Sequence, residues 1–157
     1  PGCESCCHRR FSVFGVEAAA LREALAALAE ADPPLRAKIR AQADDPAAQA
    51  RCALLVDGRC SVYAARPLIC RSHGLPIAVE DDAGRIRVEA CLLNFREGPP
   101  PPASVLRLAA LNQPLAVLAE LWRRGEPRVA LEDLARAADP TPATSPNFPV
   151  DAPQAVE

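Results

Sequence analysis

Residues 51–74 read RCALLVDGRCSVYAARPLICRSHG and carry three of the seven cysteines of this 157-residue chain. Cys52 and Cys60 stand on either side of an Asp-Gly dipeptide, which favours a tight turn, so their two sulfur atoms can face one point. Cys70 follows Pro67, whose ring restricts the direction of the connecting backbone. The spacing therefore predicts that this segment gathers several thiols in one place.

A second group of thiols opens the chain in the stretch CESCC, residues 3–7. Structural zinc is usually held by a short Cys-x-x-Cys knuckle together with a distant pair of ligands, and Cys3 and Cys6 form such a knuckle. We predict that all seven cysteines are metal ligands: Cys3, Cys6, Cys7, Cys52, Cys60, Cys70 and Cys91. Seven thiols exceed one four-ligand site, so two ions, a bridged pair and a centre with spare thiols all stay open.

Polar side chains close to the cysteines in sequence suggest supporting roles. His73 stands at Cys-x-x-His spacing and His8 directly follows Cys7, so either histidine could be a nitrogen ligand, although enough thiols exist without them. Four arginines could donate hydrogen bonds to sulfur and offset the negative charge of thiolates, or could be ordinary surface residues: Arg9, Arg10, Arg66 and Arg71.

The composition limits the functions to consider. Hydrophobic residues make up 50% of the chain but aromatic residues only 4%, so the core must consist mainly of Ala, Leu and Val, and a bound metal would add much to its stability. A net charge of −2 disfavours nucleic acid as a partner. The sequence has no run of about 18 apolar residues, which disfavours a membrane span.

The cysteine count also bears on the cellular compartment. Seven is odd, and the adjacent Cys6 and Cys7 are poorly placed to bridge each other, so a fully disulfide-bonded secreted framework is disfavoured. Clustered thiols fit a reducing compartment and a metal. We expect a cytoplasmic protein.

The pattern along the chain predicts a mostly α fold with a small β-hairpin, in a small irregular cysteine-clustered domain with packed helices. Residues 17–31, EAAALREALAALAEA, place Leu21, Leu25 and Leu28 on one helical face, which predicts core packing. The prolines after Asp32 end this helix. A second helix is predicted at about 35–43, and 77–88 alternate as a hairpin across an Asp-Asp-Ala-Gly turn.

Four prolines at 99–102 predict a stiff connector between two parts of the chain. We predict a metal-binding domain at 1–98, a helical extension packed on it at 99–138, and a Pro-rich disordered tail at 139–157. The extension is expected to contain helices at 104–111, 114–122 and about 130–138. Leu115, Leu118 and Trp122 would form the apolar stripe of the middle helix.

CESCC at the start, CALLVDGRCSVYAARPLICR at 52–71 and the later Cys91 together resemble the bacterial cysteine-cluster family often called YkgJ, described as a zinc- or iron-chelating domain. Its members open with Cys-x-x-Cys-x-x-Cys-Cys and have eight cysteines. The cysteine missing here would lie immediately before Pro1, so we expect either that it precedes this sequence or that this member lacks it. The family's Tyr, Arg-Pro and Cys-Arg block falls on Tyr63, Arg66, Pro67, Cys70 and Arg71. The resemblance implies a metal-binding domain and no particular reaction.

Three functions are compatible with these patterns. The first is a non-catalytic protein that binds zinc or iron for folding, sequestration or delivery, with a metal ion as partner and no identified protein partner. The second is an iron–sulfur protein, although the usual cluster spacings do not occur. The third is a thiol redox enzyme using Cys3 and Cys6, or Cys6 and Cys7. Hydrolase and nucleotide-binding signatures are missing from the sequence, so an enzyme is not favoured.

Overall fold

The computed structural model describes residues 3–48 and 50–138, and its elements are given within those ranges. The α-helices are α1 (Gly15–Ala31), α2 (Pro33–Asp44), α3 (Leu68–Ser72), α4 (Leu108–Trp122) and α5 (Leu131–Arg136). The strands are β1 (Ser12–Val13), β2 (Leu55–Val56), β3 (Arg59–Cys60), β4 (Ile77–Glu80), β5 (Ile86–Glu89), β6 (Leu106–Arg107) and β7 (Val129–Ala130). This confirms the predicted fold class, mostly α with a small hairpin.

The core lies where α1 packs against α2 and α5. Leu21 and Leu25 are 0% and 2% exposed, and Leu28 packs beside them, which confirms the predicted leucine face. Ile39 from α2 and Leu134 from α5 complete this contact. Each fully buried Leu or Ile contributes about 1.5–3 kcal/mol, so this helical layer is the main apolar support of the described chain.

A proline and an acidic cap separate α1 from α2. The carboxylate of Asp32 accepts a hydrogen bond from the Leu35 amide at 3.0 Å, and Pro33 occupies the first turn of α2, where its missing N–H costs nothing. Prolines thus end the first helix as predicted, and they also start the second, two residues earlier than expected.

The predicted hairpin forms from β4 and β5. Ile77 pairs with Glu89 and Glu80 with Ile86, across a turn closed by Gly84 at φ 75°. Strand β6 then adds to β4 in parallel, which makes a three-stranded sheet that the sequence pattern did not indicate.

The prediction of two helices at 104–111 and 114–122 is wrong. Residues 106–107 pair with β4 instead, and Ser104 belongs to a 3₁₀ turn, so one helix, α4, runs through Pro114. Pro114 has no N–H to donate to the carbonyl of Ala110, an exposed residue, and the helix continues past it. The predicted stripe on α4 is half exposed, with Leu118 at 54% and Trp122 at 51%.

The segment at 129–136 joins the same core as α1 and α2. Strand β7 pairs with β1, and the nearly fully buried Arg36 donates to the carbonyls of Ala135 and Ala137, both at 2.7 Å. The last predicted helix is therefore present, although it ends at Arg136. The division into parts at residue 98 stays a prediction, and the predicted disordered tail lies outside the described residues.

None of the helices in the described ranges combines the length and the apolar character that crossing a lipid bilayer requires.

Candidate metal centre

Six of the seven cysteines line one cavity of about 600 Å³, which we call the cysteine cavity. They come from three separate segments: the opening loop, the chain around β2 and β3, and α3. The cysteines are Cys3, Cys6, Cys7, Cys52, Cys60 and Cys70. The rest of the wall is largely apolar and includes Phe11, Leu54, Val62, Tyr63 and Leu131.

A backbone hydrogen bond joins the opening loop to the second cysteine segment. Cys6 and Cys7 lie in a 3₁₀ turn, Ser5–Cys7, which the amide of Cys7 closes by donating to the carbonyl of Glu4 at 2.7 Å. The amide of Cys52 in turn donates to the carbonyl of Cys7 at 2.6 Å. Thiols about 45 residues apart in sequence are thereby held at one wall.

Gln42 holds the backbone around Cys52 from the side of α2. Its amide nitrogen lies 3.1 Å from the carbonyl oxygen of Cys52, 3.3 Å from that of Ala53 and 2.7 Å from that of Leu55. Sequence reasoning missed this residue, because a glutamine in an amphipathic helix carries no signal of a contact ten residues away. Only the folded loop shows its role.

A tight turn places Cys60, as the Asp-Gly dipeptide predicted. Asp57 has φ 49° and Gly58 has φ 74°, the left-handed values that a two-residue hairpin loop requires. Strands β2 and β3 pair across it, with Leu55 opposite Cys60. The turn therefore sets the position of the Cys60 thiol.

Two side chains position α3, which carries Cys70. One carboxylate oxygen of Glu17 accepts from the amide of Leu68 at 2.8 Å, while the other accepts from Phe14 at the start of α1 at 3.2 Å. Arg71 donates to the carbonyl of Arg66 at 2.6 Å and also to that of Ala64. Arg71 thus braces the backbone before α3, a role different from the sulfur contact considered for it.

Arg66, of the Arg66-Pro67 pair, lines the cavity with the thiols. Its guanidinium carbon stacks 3.6 Å from the centre of the Tyr63 ring, and its positive charge opposes the rise in the pKa of Cys60 and Cys70. Arg10 instead pairs with Glu132 at 2.9 Å. Only Arg66 and Arg59 among the arginines of the described chain line the cavity.

Burial raises the pKa of four thiols in the cysteine cavity. The pKa of Cys7 rises to about 12 through burial and then through the charges of Cys6, Cys52 and Cys60. Burial, followed by the charges of neighbouring thiols, also brings the pKa of Cys70 to about 12. The pKa of Cys52 and that of Cys60 rise mainly because of burial.

These shifts have a chemical consequence. A thiol whose pKa lies well above neutrality stays protonated, so a metal ion must displace the proton in order to bind the sulfur. The charges of neighbouring thiols add to the effect of burial on the pKa of Cys7 and Cys70.

Cys3 and Cys91 differ from the other cysteines. Cys3 is exposed at the edge of the cavity, and hydrogen bonding with the backbone and side chain of Ser5 lowers its pKa. Cys91 is not part of the cavity wall. Its amide points at the carbonyl of Gly74, and its sulfur accepts from the amide of Leu93 at 3.4 Å.

The two histidines also occupy different environments. His73 lines the cavity and meets the ring of Phe11 edge to face, with 6.0 Å between the ring centres. His8 is exposed and lies 3.7 Å from the carboxylate of Glu4, away from the cavity wall. Of the two, only His73 is positioned near the thiols.

The donor set suits zinc or iron, because thiolate sulfur is a soft ligand and the apolar wall limits access of water. Within residues 3–48 and 50–138, however, no three Cys, His, Asp or Glu side chains already form a group compact enough to hold an ion. Binding therefore requires the thiols to turn toward a common centre.

Comparison with known proteins gives a family. Residues 1–91 match the family model CxxCxxCC, whose description reads "Putative zinc- or iron-chelating domain". The match covers more than half of the 157 residues and ends at Cys91. No curated protein and no solved structure matches the chain significantly. The chain therefore belongs to the CxxCxxCC family, and this description supports metal binding in general.

Proposed function

We propose that this protein binds zinc or iron through thiolates of the cysteine cavity and that the ion acts structurally or is handled as cargo, without catalysis. The observation that carries the proposal is the convergence of six thiols from three segments on one cavity. Cys91 is left out of this ligand set because it lies outside the cavity wall.

Energetics support a structural contribution of the metal. Binding of a structural zinc ion is worth about 10–16 kcal/mol in small domains, which matches or exceeds the roughly 5–15 kcal/mol by which a domain is stable. The 3₁₀ turn of the opening loop and α3 contain no buried residue, whereas the segment with Cys52 packs Leu54 and Val56 into the core. A shared ion would therefore join the opening loop and α3 to a segment that the core already holds.

The pKa values favour a binding role over general thiol chemistry. A nucleophilic cysteine needs a lowered pKa, whereas burial raises the pKa of Cys7 and Cys70 to about 12. The vicinal pair formed by Cys6 and Cys7 therefore contains a poor nucleophile.

The test is elemental analysis of the purified 157-residue chain, followed by chelation. We expect zinc or iron in stoichiometric amount, a fall in the melting temperature after chelation, and recovery when the metal is restored. Cys70→Ser should lose metal, while Cys91→Ser serves as the matched control and should keep it. Purified chain that binds neither metal, or a melting curve unchanged by chelation, would contradict the proposed role.

A second candidate, thiol redox chemistry, is favoured by one observation. Cys3 is exposed and its pKa is lowered by the neighbouring Ser5, which are properties of a reactive thiol. The discriminating assay is reduction of a model disulfide with dithiothreitol as electron donor. Turnover that depends on Cys3 and persists after chelation would favour redox chemistry over metal binding.

A further inference from the structure

The cysteine cavity offers more thiols than one metal ion can use. Six cysteines line it, whereas a zinc ion takes four ligands. A single ion would leave two thiols of the same cavity without metal. Free cysteine is often buried simply as part of the packing. The number of thiols alone therefore does not indicate a second ion, and the arrangement of the thiols must also support it.

The six thiols come from all three segments that line the cavity. The opening loop supplies Cys3, Cys6 and Cys7, the chain around β2 and β3 supplies Cys52 and Cys60, and α3 supplies Cys70. Strand β3 places Cys60 there, through the turn after β2. No segment supplies four thiols, so an ion with four thiolate ligands must join at least two segments.

We propose that the cysteine cavity holds two divalent ions that share thiolate ligands. Two tetrahedral ions offer about eight ligand positions in total, and six thiolates fill them when two of the thiolates each contact both ions. The inference rests on the proposed function, because it specifies how many ions the same site takes and that the ions share ligands.

The charge balance allows a second ion. Six thiolates around two divalent cations leave a net charge of about −2, the same as four thiolates around one cation. Arg59 and Arg66 both line the cavity together with the thiols. The same two guanidinium groups can therefore offset the negative charge of a one-ion or a two-ion centre, because the net charge of the two centres is the same.

The size of the cavity agrees with more than one ion. Its volume of about 600 Å³ far exceeds the roughly 30 Å³ that one water molecule takes up in the liquid. An iron–sulfur cubane would also fit such a volume. It uses only four thiolates, however, and so leaves two of the six without a metal, whereas a shared pair of ions uses all of them.

The test is loading of the metal-free 157-residue chain with cadmium, a thiophilic substitute for zinc, under reducing conditions. Native mass spectrometry counts the ions per chain, and cadmium NMR reports their environments. We expect two cadmium ions at saturation and two resonances joined by a scalar coupling, because the coupling passes through a shared sulfur. One ion at saturation, or two resonances without coupling, would overturn the shared centre.

Two variants test whether the cavity thiols hold the pair of ions. Cys60→Ser leaves five thiolates in the cavity and should lose at least one ion, while Cys91→Ser, whose thiol lies outside the cavity, should keep both ions and the coupling. Two coupled ions retained in Cys60→Ser would exclude Cys60 from the ligands. If that variant does not fold, the spectrum of the unmodified chain still decides whether the ions share a sulfur. A chain that retains no cadmium and no zinc would instead refute the proposed function itself.

Discussion

The amide of Cys52 donates a hydrogen bond to the carbonyl of Cys7, with 2.6 Å between nitrogen and oxygen. This contact closes one wall of the cysteine cavity and joins two segments that are far apart in sequence. Gln42 supports the same wall from α2, and the turn at Gly58 and the side chain of Arg71 set the positions of Cys60 and Cys70. Each of these supports can be tested separately.

Gln42→Ala should destabilise the chain and weaken metal binding. The substitution leaves up to three carbonyl groups without their donor, and loss of such part-buried hydrogen bonds costs about 1–3 kcal/mol. Urea denaturation with and without zinc measures both effects. Gln113→Ala, on the exposed part of α4, is the matched control and should change neither. Equal stability of the two variants would show that Gln42 does not support the Cys52 segment.

Arg71→Ala should release the backbone before α3 and reduce the affinity for zinc. Its guanidinium bonds to the carbonyls of Arg66 and Ala64 are exposed, so we expect a loss of about 1–2 kcal/mol. Arg71→Lys should recover part of the stability, because a single ammonium group cannot reproduce both bonds. Arg22→Ala, an exposed arginine of α1, is the control. Equal stability and equal zinc affinity of the Lys and Ala variants would contradict this role of Arg71.

Gly58→Ala should strain the turn between β2 and β3 and misplace Cys60. The residue has φ 74°, a backbone conformation that costs an L residue about 1–2 kcal/mol. An added methyl group would meet only the Glu4 carboxylate, at 3.4 Å, so the effect is one of backbone strain rather than of packing. Gly98→Ala, where the methyl group meets nothing within 4 Å, is the control for thermal denaturation and zinc titration.

Metal-free protein should lose stability as the pH rises above about 9. The ordinary thiol pKa is 9.0, and folding raises those of Cys7 and Cys70 to about 12, so the folded state holds protons that the unfolded state releases. The contribution of these two thiols to the free energy of unfolding is complete below pH 9.0 and declines between pH 9.0 and about pH 12. Urea denaturation at about pH 8, 9 and 10 with chelator and reductant measures the decline. Cys7→Ala combined with Cys70→Ala should flatten it, whereas Cys91→Ala should not.

Alkylation of the metal-free chain should begin at Cys3. Its thiol is exposed and its pKa is lowered, while Cys7 and Cys70 are protonated and partly covered, so at about pH 7.5 we expect iodoacetamide to modify them at least tenfold more slowly. Peptide mass spectrometry at short reaction times gives the order. In denaturant the difference should vanish. Comparable rates in the folded chain would mean that the cavity does not shield its thiols.

Local features were predictable because they depend on neighbouring residues. The leucine face of α1 follows from helical spacing, and both hairpin turns follow from dipeptides that tolerate positive φ, at Gly58 and Gly84. The chemistry of the site follows from the residue types, since clustered thiols suit zinc and iron. The family pattern adds the expectation of a metal-binding domain.

Other features depended on contacts between distant segments. Pairing of residues 106–107 with β4 shortened the predicted helix and let α4 run through Pro114, which no helix propensity indicates. The position of Cys91 against Gly74, apart from the other thiols, also follows from how the hairpin returns to the chain.

The sequence by itself determined which atoms can bind a metal and where the chain turns, because both depend on side-chain chemistry and on a few adjacent backbone angles. Only the tertiary structure decided which of the seven thiols share a cavity and which side chains hold them there. Packing of α1 against α2 brings Gln42 and Glu17 toward segments up to 51 residues away, and the free energy of that packing is summed over the whole core.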